Sequence, residues 1–222
     1  MPIYRAKNEN FFKTWTPQMA YVLGFFAADG NLTLGKRGNH FIEFTSCDKE
    51  IIEKIREAMG CTHKISIRER NERWKTSYRI QIGSKIIFND LTKFEFTPNK
   101  SLTLKLPEIP KNYLPHFLRG YFDGDGSITV GYFKKRGRKS KSLVVMTRFT
   151  CGSKPFLLSL RERISSIIGT RGSILDYAGA WHLVYSKKDS QKLFSFMYSK
   201  SGKDDLIYLD RKYKIYQRAV VA

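Results

Sequence analysis

Apolar residues recur at helical spacing in two distant stretches of the chain, and each stretch opens with a Phe-Thr pair. The first covers residues 44–60 and the second covers residues 149–169. The residues at this spacing are Ile51, Ile52, Ile55 and Met59 in the first stretch and Phe156, Leu157, Leu160 and Ile164 in the second. The pattern predicts two amphipathic helices in equivalent places, which indicates an internal repeat.

Short segments with alternating apolar and polar residues flank both predicted helices. A hairpin with a polar, glycine-containing turn precedes each helix, and two further short strands follow it. A helix opens each half and another closes it, so the order is αββαββα twice. We therefore predict an α+β fold of two pseudo-symmetric αββαββα halves with antiparallel sheets. The halves are placed at residues 1–101 and 113–222, and the linker at residues 102–112 contains proline and lysine.

Alternation along the predicted strands separates an apolar face from a polar one. Ile65 and Ile67, for example, would face the covering helices, whereas Ser66 and Arg68 would point away. The residues predicted to point away or to lie near hairpin tips are Thr33, Arg37, Glu43, Lys64, Ser66, Arg68, Arg70, Lys75, Ser77, Arg79 and Gln81 in the first half, and Thr129, Lys134, Arg136, Arg138, Arg148, Ser173, Tyr177 and His182 in the second. Ordinary solvated surface explains any one such strand, but the repetition in both halves favours a binding face.

The charge balance points to a polyanionic partner for that face. The chain has 40 Lys and Arg against 20 Asp and Glu, giving a formal net charge of +20. The basic residues interleave with polar residues on strands and do not form one face of an amphipathic helix, so nucleic acid is favoured over a membrane. A two-stranded ribbon fits the DNA major groove, and basic hairpin tips suit phosphates. A basic surface that serves only solubility is the alternative.

Composition limits the remaining classes. Hydrophobic residues make up 41% of the 222 residues, enough for a real core, and no run of about 18 apolar residues predicts a membrane span. The first 15 residues lack the apolar core of a secretory signal. The three cysteines form no CxxC pair, which argues against zinc and disulfide frameworks. We expect an intracellular protein that is not secreted, in a compartment the sequence does not specify.

Acidic residues are scarce, yet two similar stretches each end in Asp-Gly. They are VLGFFAADG at residues 22–30 and LRGYFDGDG at residues 118–126. Pro17 and Pro115 lie near the predicted helix starts, where proline is tolerated. Gly30 and Gly126 are expected in the left-handed conformation that ends many helices. Each stretch therefore predicts a helix that ends beside an aspartate.

Small residues spaced by four precede both aspartates. Gly24 and Ala28 form one such stripe, and Gly120 and Gly124 form the other. Stripes of this kind allow two helices to meet with their backbones in close contact. We therefore expect the two helices to pack along these stripes, which would bring Asp29 and Asp125 together.

Two adjacent carboxylates at helix C-termini repel each other and the helix dipoles, and divalent cations would relieve both effects. Aspartate oxygens suit Mg²⁺, and metal ions between paired carboxylates can act on a phosphodiester. The expected cofactor is Mg²⁺, two or more ions, with Mn²⁺ or Ca²⁺ able to replace it for binding. A plain capping turn would explain one Asp-Gly helix end, but two copies favour a site.

The two stretches resemble the paired motifs of single-chain LAGLIDADG homing endonucleases, and the resemblance covers nearly the whole chain. It implies a saddle of antiparallel sheets over DNA, with the motif helices packed at the centre. It implies that Asp29 and Asp125 bind metal, and we add the preceding residues, Ala28 and Gly124, to the metal set. Ala27 replaces an earlier motif aspartate that Asp123 retains, and Asp123 is not counted as catalytic.

The same resemblance assigns further residues. Lys100 and Lys212 match the basic residue that the family places near each scissile phosphate, and they complete a catalytic set with Asp29 and Asp125. Ser46 and Cys151 stand where the family often has a glutamine that helps to position water. Neither side chain offers more than modest hydrogen bonding, and this departure predicts slower cleavage.

The function that these patterns favour is site-specific, metal-dependent cleavage of double-stranded DNA. The resemblance implies a monomer that cuts a long target, leaves short 3′ overhangs and promotes intron mobility. The halves differ at outward positions, so the target should be asymmetric. An intron RNA-binding splicing maturase is the alternative, because a basic surface also suits RNA. A transcription regulator without chemistry is a third possibility, but retention of both acids favours cleavage.

Overall fold

A computed structural model describes residues 5–69, 75–134, 137, 139–198 and 206–221. The predicted DNA-binding residues Arg70, Arg136 and Arg138 lie outside this described part. Within it, no helix is both long enough and apolar enough to cross a membrane.

The described residues form seven α-helices and eight strands. The first half contains α1 (Pro17–Asp29), β1 (Gly30–Leu34), β2 (His40–Ser46), α2 (Lys49–Ala58), β3 (Ile65–Arg68), β4 (Ser77–Gly83) and α3 (Lys85–Lys93). A short 3₁₀ turn (Lys100–Leu102) leads to the second half, which contains α4 (Leu114–Asp125), β5 (Gly126–Lys134), β6 (Lys141–Cys151), α5 (Lys154–Ile168), β7 (Ser173–Tyr177), β8 (Ala180–Tyr185) and α6 (Lys187–Tyr198). The predicted αββαββα order is confirmed in both halves, and α7 (Asp210–Val221) is an additional helix.

The strands form two four-stranded antiparallel sheets with the same order, β1-β2-β4-β3 and β5-β6-β8-β7. Phe44 pairs with Gly30 on one side and with Ile80 on the other. Phe149 pairs in the same way with Gly126 and Leu183. The α+β prediction is therefore confirmed, and this register defines which positions of the two sheets are equivalent.

Contacts divide the chain into two compact units. One comprises Met1–Lys100 and Pro107–Gly124, and the other comprises Ser101–Leu106 and Asp125–Ala222. The helix α4 therefore belongs, up to Gly124, to the same unit as α1. The half boundaries at residues 101 and 113 stay a prediction about the repeat in the sequence.

Both motif helices begin as the prolines predict. Thr16 caps α1 by accepting a hydrogen bond from the Met19 backbone N–H (3.0 Å), and Pro17 is the first helical residue. Pro115 is the second residue of α4.

The ends of these helices differ from the prediction. Gly30 is extended, with φ −88° and ψ 154°, and Gly126 is not among the glycines with positive φ. The left-handed assignment of both glycines was wrong, because the chain passes directly from each motif helix into a strand without reversing its direction. Glycine is still required at position 30, because a Cβ there would lie 2.1 Å from the ring of Phe26.

The motif helices touch through their backbones within the first unit. A Cβ added at Gly24 would lie 2.0 Å from the carbonyl oxygen of Phe117. A Cβ at Gly120 would lie 2.0 Å from the carbonyl oxygen of Tyr21. The predicted packing along the small-residue stripes is therefore confirmed for α1 and α4.

Gly120→Ala should destabilise the protein by about 3 kcal/mol, because the new methyl group would overlap a backbone oxygen that cannot move alone. Chemical denaturation measures this loss. Gly83→Ala is the control, since its Cβ would meet only ordinary contact with the Phe41 ring at 3.7 Å. Equal stability of Gly120→Ala and the wild type would contradict the close helix approach.

Candidate active site and nucleic-acid interface

The three aspartates of the two motifs differ in exposure, and two of them are accessible to solvent. Asp29, the last residue of α1, is half-buried, and Asp125 is exposed. Asp123 is only 4% exposed, and its Oδ2 accepts a hydrogen bond from the Tyr21 hydroxyl at 2.7 Å. Its burial and its bond to Tyr21 give Asp123 a structural role, in agreement with its exclusion from the predicted catalytic set.

Glycine keeps the surroundings of Asp29 open. A Cβ at Gly124 would lie 3.1 Å from Asp29 Oδ2 and 2.4 Å from the Ala28 methyl group. The chain then continues directly from Gly124 into Asp125. Among the described residues, no group of three or more His, Cys, Asp or Glu side chains could hold a metal ion. Any metal here would need main-chain, water or phosphate oxygens besides the carboxylates.

A buried polar network fixes α4 beside α1. Arg119 Nη2 donates to His116 Nδ1 at 2.9 Å, and the guanidinium lies 5.6 Å from the Tyr21 ring centroid. Arginine can only donate, so Nδ1 carries no proton in this arrangement. Burial and the neighbouring Arg119 charge lower the pKa of His116 to about 4. The histidine is therefore neutral in the folded protein at physiological pH.

Each unit contains a buried lysine bonded next to its motif aspartate. Lys100 is 6% exposed, and its Nζ donates to the carbonyl oxygen of Gly30, the residue after Asp29. Lys212 is 5% exposed, and its Nζ donates to the carbonyl oxygen of Gly126 at 2.6 Å. The family resemblance paired these lysines, and the structure places them at equivalent points.

Different elements position the two lysines. Lys100 lies in the 3₁₀ turn, and its Nζ is 5.2 Å from the Phe26 ring centroid. Lys212 lies on α7, one turn before Tyr216, whose hydroxyl is 2.5 Å from Thr147 Oγ1. Burial raises the pKa of Tyr216 well above its ordinary value, so it stays neutral. The helix α7 is thus anchored to β6 in the unit that contains Lys212.

Ser46 and Cys151 have the same local role in the two halves. Ser46 Oγ accepts a hydrogen bond from the Asp48 backbone N–H at 3.1 Å. Cys151 Sγ accepts one from the Ser153 backbone N–H at 3.3 Å. Both side chains therefore stabilise the turn from a strand into the next helix, and their predicted role in positioning water stays a prediction.

The outward face of the first sheet carries the predicted polar residues. The register places Glu43 opposite Gln81, and Thr45 opposite Arg79, on the side away from Phe44 and Ile80. Glu43 Oε1 accepts hydrogen bonds from Arg79 Nη1 at 3.2 Å and from Gln81 Nε2. The other outward or turn residues of this half are Thr33, Arg37, Lys64, Ser66, Arg68, Lys75 and Ser77, all exposed or half-buried.

The same register confirms that the predicted residues of the second sheet point outward. Thr129, Arg148, Ser173, Tyr177 and His182 lie on the side away from Phe149, and Lys134 is exposed at the end of β5. The buried Nε of Arg148 has no hydrogen-bond partner among the described residues, which suits a face that a polar ligand covers.

His182 shares this outward side but is 8% exposed. Its Nδ1 lies 3.1 Å from Thr150 Oγ1 and its Nε2 lies 3.0 Å from the Tyr177 carbonyl oxygen. Both ring nitrogens are therefore engaged within the sheet, and Tyr177, which is 70% exposed, is the more accessible of the two.

Comparison with known proteins assigns the first motif to a family. Residues 16–93 match the LAGLIDADG-like domain. The match includes α1, both hairpins of the first sheet and α3, and the second half repeats the same element order.

Solved LAGLIDADG structures resemble the whole chain. The meganuclease I-SmaMI bound to uncleavable DNA has a TM-score of 0.65 and 17% identity, over 94% of this chain and 88% of that one. I-AabMI bound to uncleaved DNA has a TM-score of 0.60 and 17% identity, over 93% and 90%. I-SmaMI bound to its DNA target with calcium ions has a TM-score of 0.60 and 16% identity, over 94% and 90%. At these identities the likeness establishes the fold.

Two curated relatives come from Methanocaldococcus jannaschii. An uncharacterized protein is 26% identical over 121 residues, which is 51% of this chain and 40% of the relative. The DNA-directed RNA polymerase subunit Rpo1C is 28% identical over 117 residues, which is 50% of this chain and 12% of the relative. The chain thus matches less than half the length of either relative.

Two features of the structure were not predicted from the sequence. One is the polar network of α4, although Arg119 and Asp123 stand four residues apart and could have suggested a pair on one helix face. The other is α7, whose apolar face is built largely from tyrosines. Its Tyr213 and Tyr216 stack on Phe194 of α6 with centroids 5.7 and 4.6 Å away.

The stability of the protein should fall as pH falls from about 6.5 to about 4, because His116 takes up its proton only on unfolding. The loss should approach about 1.4 kcal/mol per pH unit. Denaturation at a series of pH values measures the slope.

His116→Gln should flatten that slope, since the amide oxygen can accept from Arg119 without titrating. Part of the slope remains, because burial and the charges of Arg5 and Lys7 also lower the pKa of His63. An identical slope in wild type and variant would show that His116 is not held neutral by folding.

Proposed function

We propose that the chain is a site-specific endonuclease that hydrolyses phosphodiester bonds of double-stranded DNA with a divalent metal. One repeated arrangement carries the proposal: in each unit a buried lysine binds the carbonyl of the glycine that follows an accessible motif aspartate. The solved neighbours, which are meganucleases bound to DNA, support it.

The residues present suit Mg²⁺. This ion is usually held by one or two carboxylates, with water and substrate phosphates completing the shell. Asp29 and Asp125 are the accessible carboxylates, and glycine at position 124 leaves space in front of Asp29. Main-chain oxygens of Ala28 and Gly124 would add ligands from the protein. The calcium in the crystals of one neighbour supports a divalent ion, and Mg²⁺ is our proposal for this chain.

Each group of the chain has a distinct part in the proposed reaction. Bound metal would stabilise charge on the phosphate and lower the pKa of a water molecule. Asp29 and Asp125 would hold the cations, and Lys100 and Lys212 would supply fixed positive charge where negative charge develops on phosphate oxygens. The outward faces of the two sheets bind the DNA backbone and bases.

The target should be long and asymmetric, because equivalent outward positions differ chemically. Glu43 of the first sheet is replaced by Arg148 in the second, and Arg68 by Tyr177. Action as a monomer, short 3′ overhangs and a role in intron mobility complete the proposal. Binding of intron RNA as a maturase would not require the motif acids, so their accessibility favours cleavage over the maturase alternative.

Asp29→Asn and Asp125→Asn should each abolish double-strand cutting while DNA affinity stays largely unchanged, because the acids hold metal and contribute little to DNA binding. Gel analysis of cleaved plasmid and fluorescence anisotropy of labelled DNA separate the two readouts. Without metal, each variant should also melt a degree or more higher, if removing repulsion gains about 0.5 kcal/mol.

Asp176→Asn is the matched control, since Asp176 is an exposed aspartate on β7 away from the motifs. It should cut at the wild-type rate. Full cutting by either motif variant would refute the assignment of the acids, and lower melting in metal-free buffer would show that the acids are not in repulsion.

Lys100→Met or Lys212→Met should slow cleavage of one strand by about 100-fold, because removing one preorganised charge costs this much in comparable sites. Nicked circular plasmid should therefore accumulate before linear product. Lys111→Met, which removes an exposed lysine, should yield linear DNA as the wild type does. Equal loss of both strand cuts in the lysine variants would contradict one lysine per scissile phosphate.

A further inference from the structure

The outward faces of the two sheets differ in polarity at equivalent positions. The pairs that the shared register defines, first sheet before second, are Lys64 and Ser173, Ser66 and Leu175, Arg68 and Tyr177, Arg79 and His182, Gln81 and Val184, and Phe41 and Met146. Three basic residues and one amide of the first sheet thus give way to apolar or less basic ones in the second, whereas Phe41 and Met146 are both apolar and Glu43 is replaced by Arg148. Leu175 is 51% exposed in this position, and Tyr177 on the same strand is 70% exposed.

Some of these apolar side chains border a groove at the part of β6 that extends beyond its pairing with β8, where Leu143 and Val145 of the opposite face and the start of α6 also contribute. Val144 and Met146 of β6 and Val184 of β8 contribute to a space of about 650 Å³ that opens to solvent. The lining also includes Ser173, and three basic residues, Arg171, Lys187 and Lys188, border it together with Asp189. Apolar side chains and mostly basic ones, here called the floor and the rim, therefore line the same space.

Duplex DNA matches this combination of surfaces. In the major groove only thymine presents a methyl group, and apolar side chains recognise it by contact. The basic rim suits the phosphates on either side of the groove. A hydrophobic protein partner would match the floor but would gain nothing from the cationic rim.

We infer that the second sheet recognises a thymine-rich half-site, through contacts of Val144, Met146 and Val184 with thymine methyl groups. The first sheet recognises its half-site by hydrogen bonds from residues such as Arg79 and Gln81. This inference rests on the proposed DNA cleavage and adds the base composition that one half of the target should have.

The test removes methyl groups without changing base pairing. A target selected from a randomised library is made with deoxyuridine in place of thymidine in one half at a time, and the Kd of the wild-type protein is measured at fixed salt. Uracil in the half bound by the second sheet should weaken binding about fourfold per contacted methyl group. Uracil in the other half should change Kd less than twofold.

The halves of the target can be assigned through Cys47. It is the exposed cysteine, whereas Cys61 and Cys151 are buried, so an iron chelate can be attached there selectively. Because Cys47 follows β2, radical cleavage from the chelate marks the half-site of the first sheet.

Val144→Thr and Val184→Thr keep the branched shape but place a hydroxyl group in the groove. Each should reduce the wild-type preference for thymine over uracil in the second half-site, which a purely structural role would not do. Thr92→Val, the same kind of exchange at an exposed position of α3, is the control and should leave that preference intact.

The experiments distinguish failure of this inference from failure of the proposed function. Specific cleavage with equal affinity for thymine and uracil targets would overturn the inference and leave the proposed function standing. Absence of cleavage and of specific binding on any DNA would overturn both, and would favour a protein ligand for the groove.

Discussion

The close approach of α1 and α4 is the constraint on which the first unit depends. Carbonyl oxygens of Tyr21 and Phe117 occupy the space that side chains would need at Gly120 and Gly24. Backbone contact of this kind prevents the two helices from sliding along each other, even by a fraction of the rise per residue. The end of α1, and with it Asp29, is thereby placed beside Gly124 without any flexible side chain in between.

A buried polar network breaks the symmetry of the motif helices. Arg119 and Asp123 stand where the first motif has Leu23 and Ala27, and Tyr21 of α1 binds the Asp123 carboxylate. A buried carboxylate without such a partner would cost several kcal/mol, so this bond explains how a second aspartate is accommodated so close to Asp125. The network therefore gives Asp123 a structural role and leaves Asp125 as the accessible aspartate of the second motif.

The parts that follow from periodicity could be predicted. Alternation of Ile80 and Ile82 with Arg79 and Gln81 defined the two faces of a sheet, because the pleat admits only two side-chain directions. The glycine stripes predicted backbone contact for the same geometric reason. Gly30 was placed in the wrong conformation, since Asp-Gly does not reveal whether the chain reverses or continues into a strand. The contacts of Ser46, Arg119 and Tyr216 depend on tertiary packing that no local pattern encodes, and Lys100 and Lys212 came from family resemblance.

The central claim is that accessible motif acids, held by backbone-packed helices, support DNA cleavage with a divalent metal. Incubation of the protein with a random DNA library and Mg²⁺, followed by sequencing of all new ends, tests it most directly. The account predicts paired cuts within one long asymmetric sequence, and no new ends when EDTA is present. Absence of new ends with Mg²⁺, or the same ends from a protein carrying Asp29→Asn and Asp125→Asn together, would contradict it.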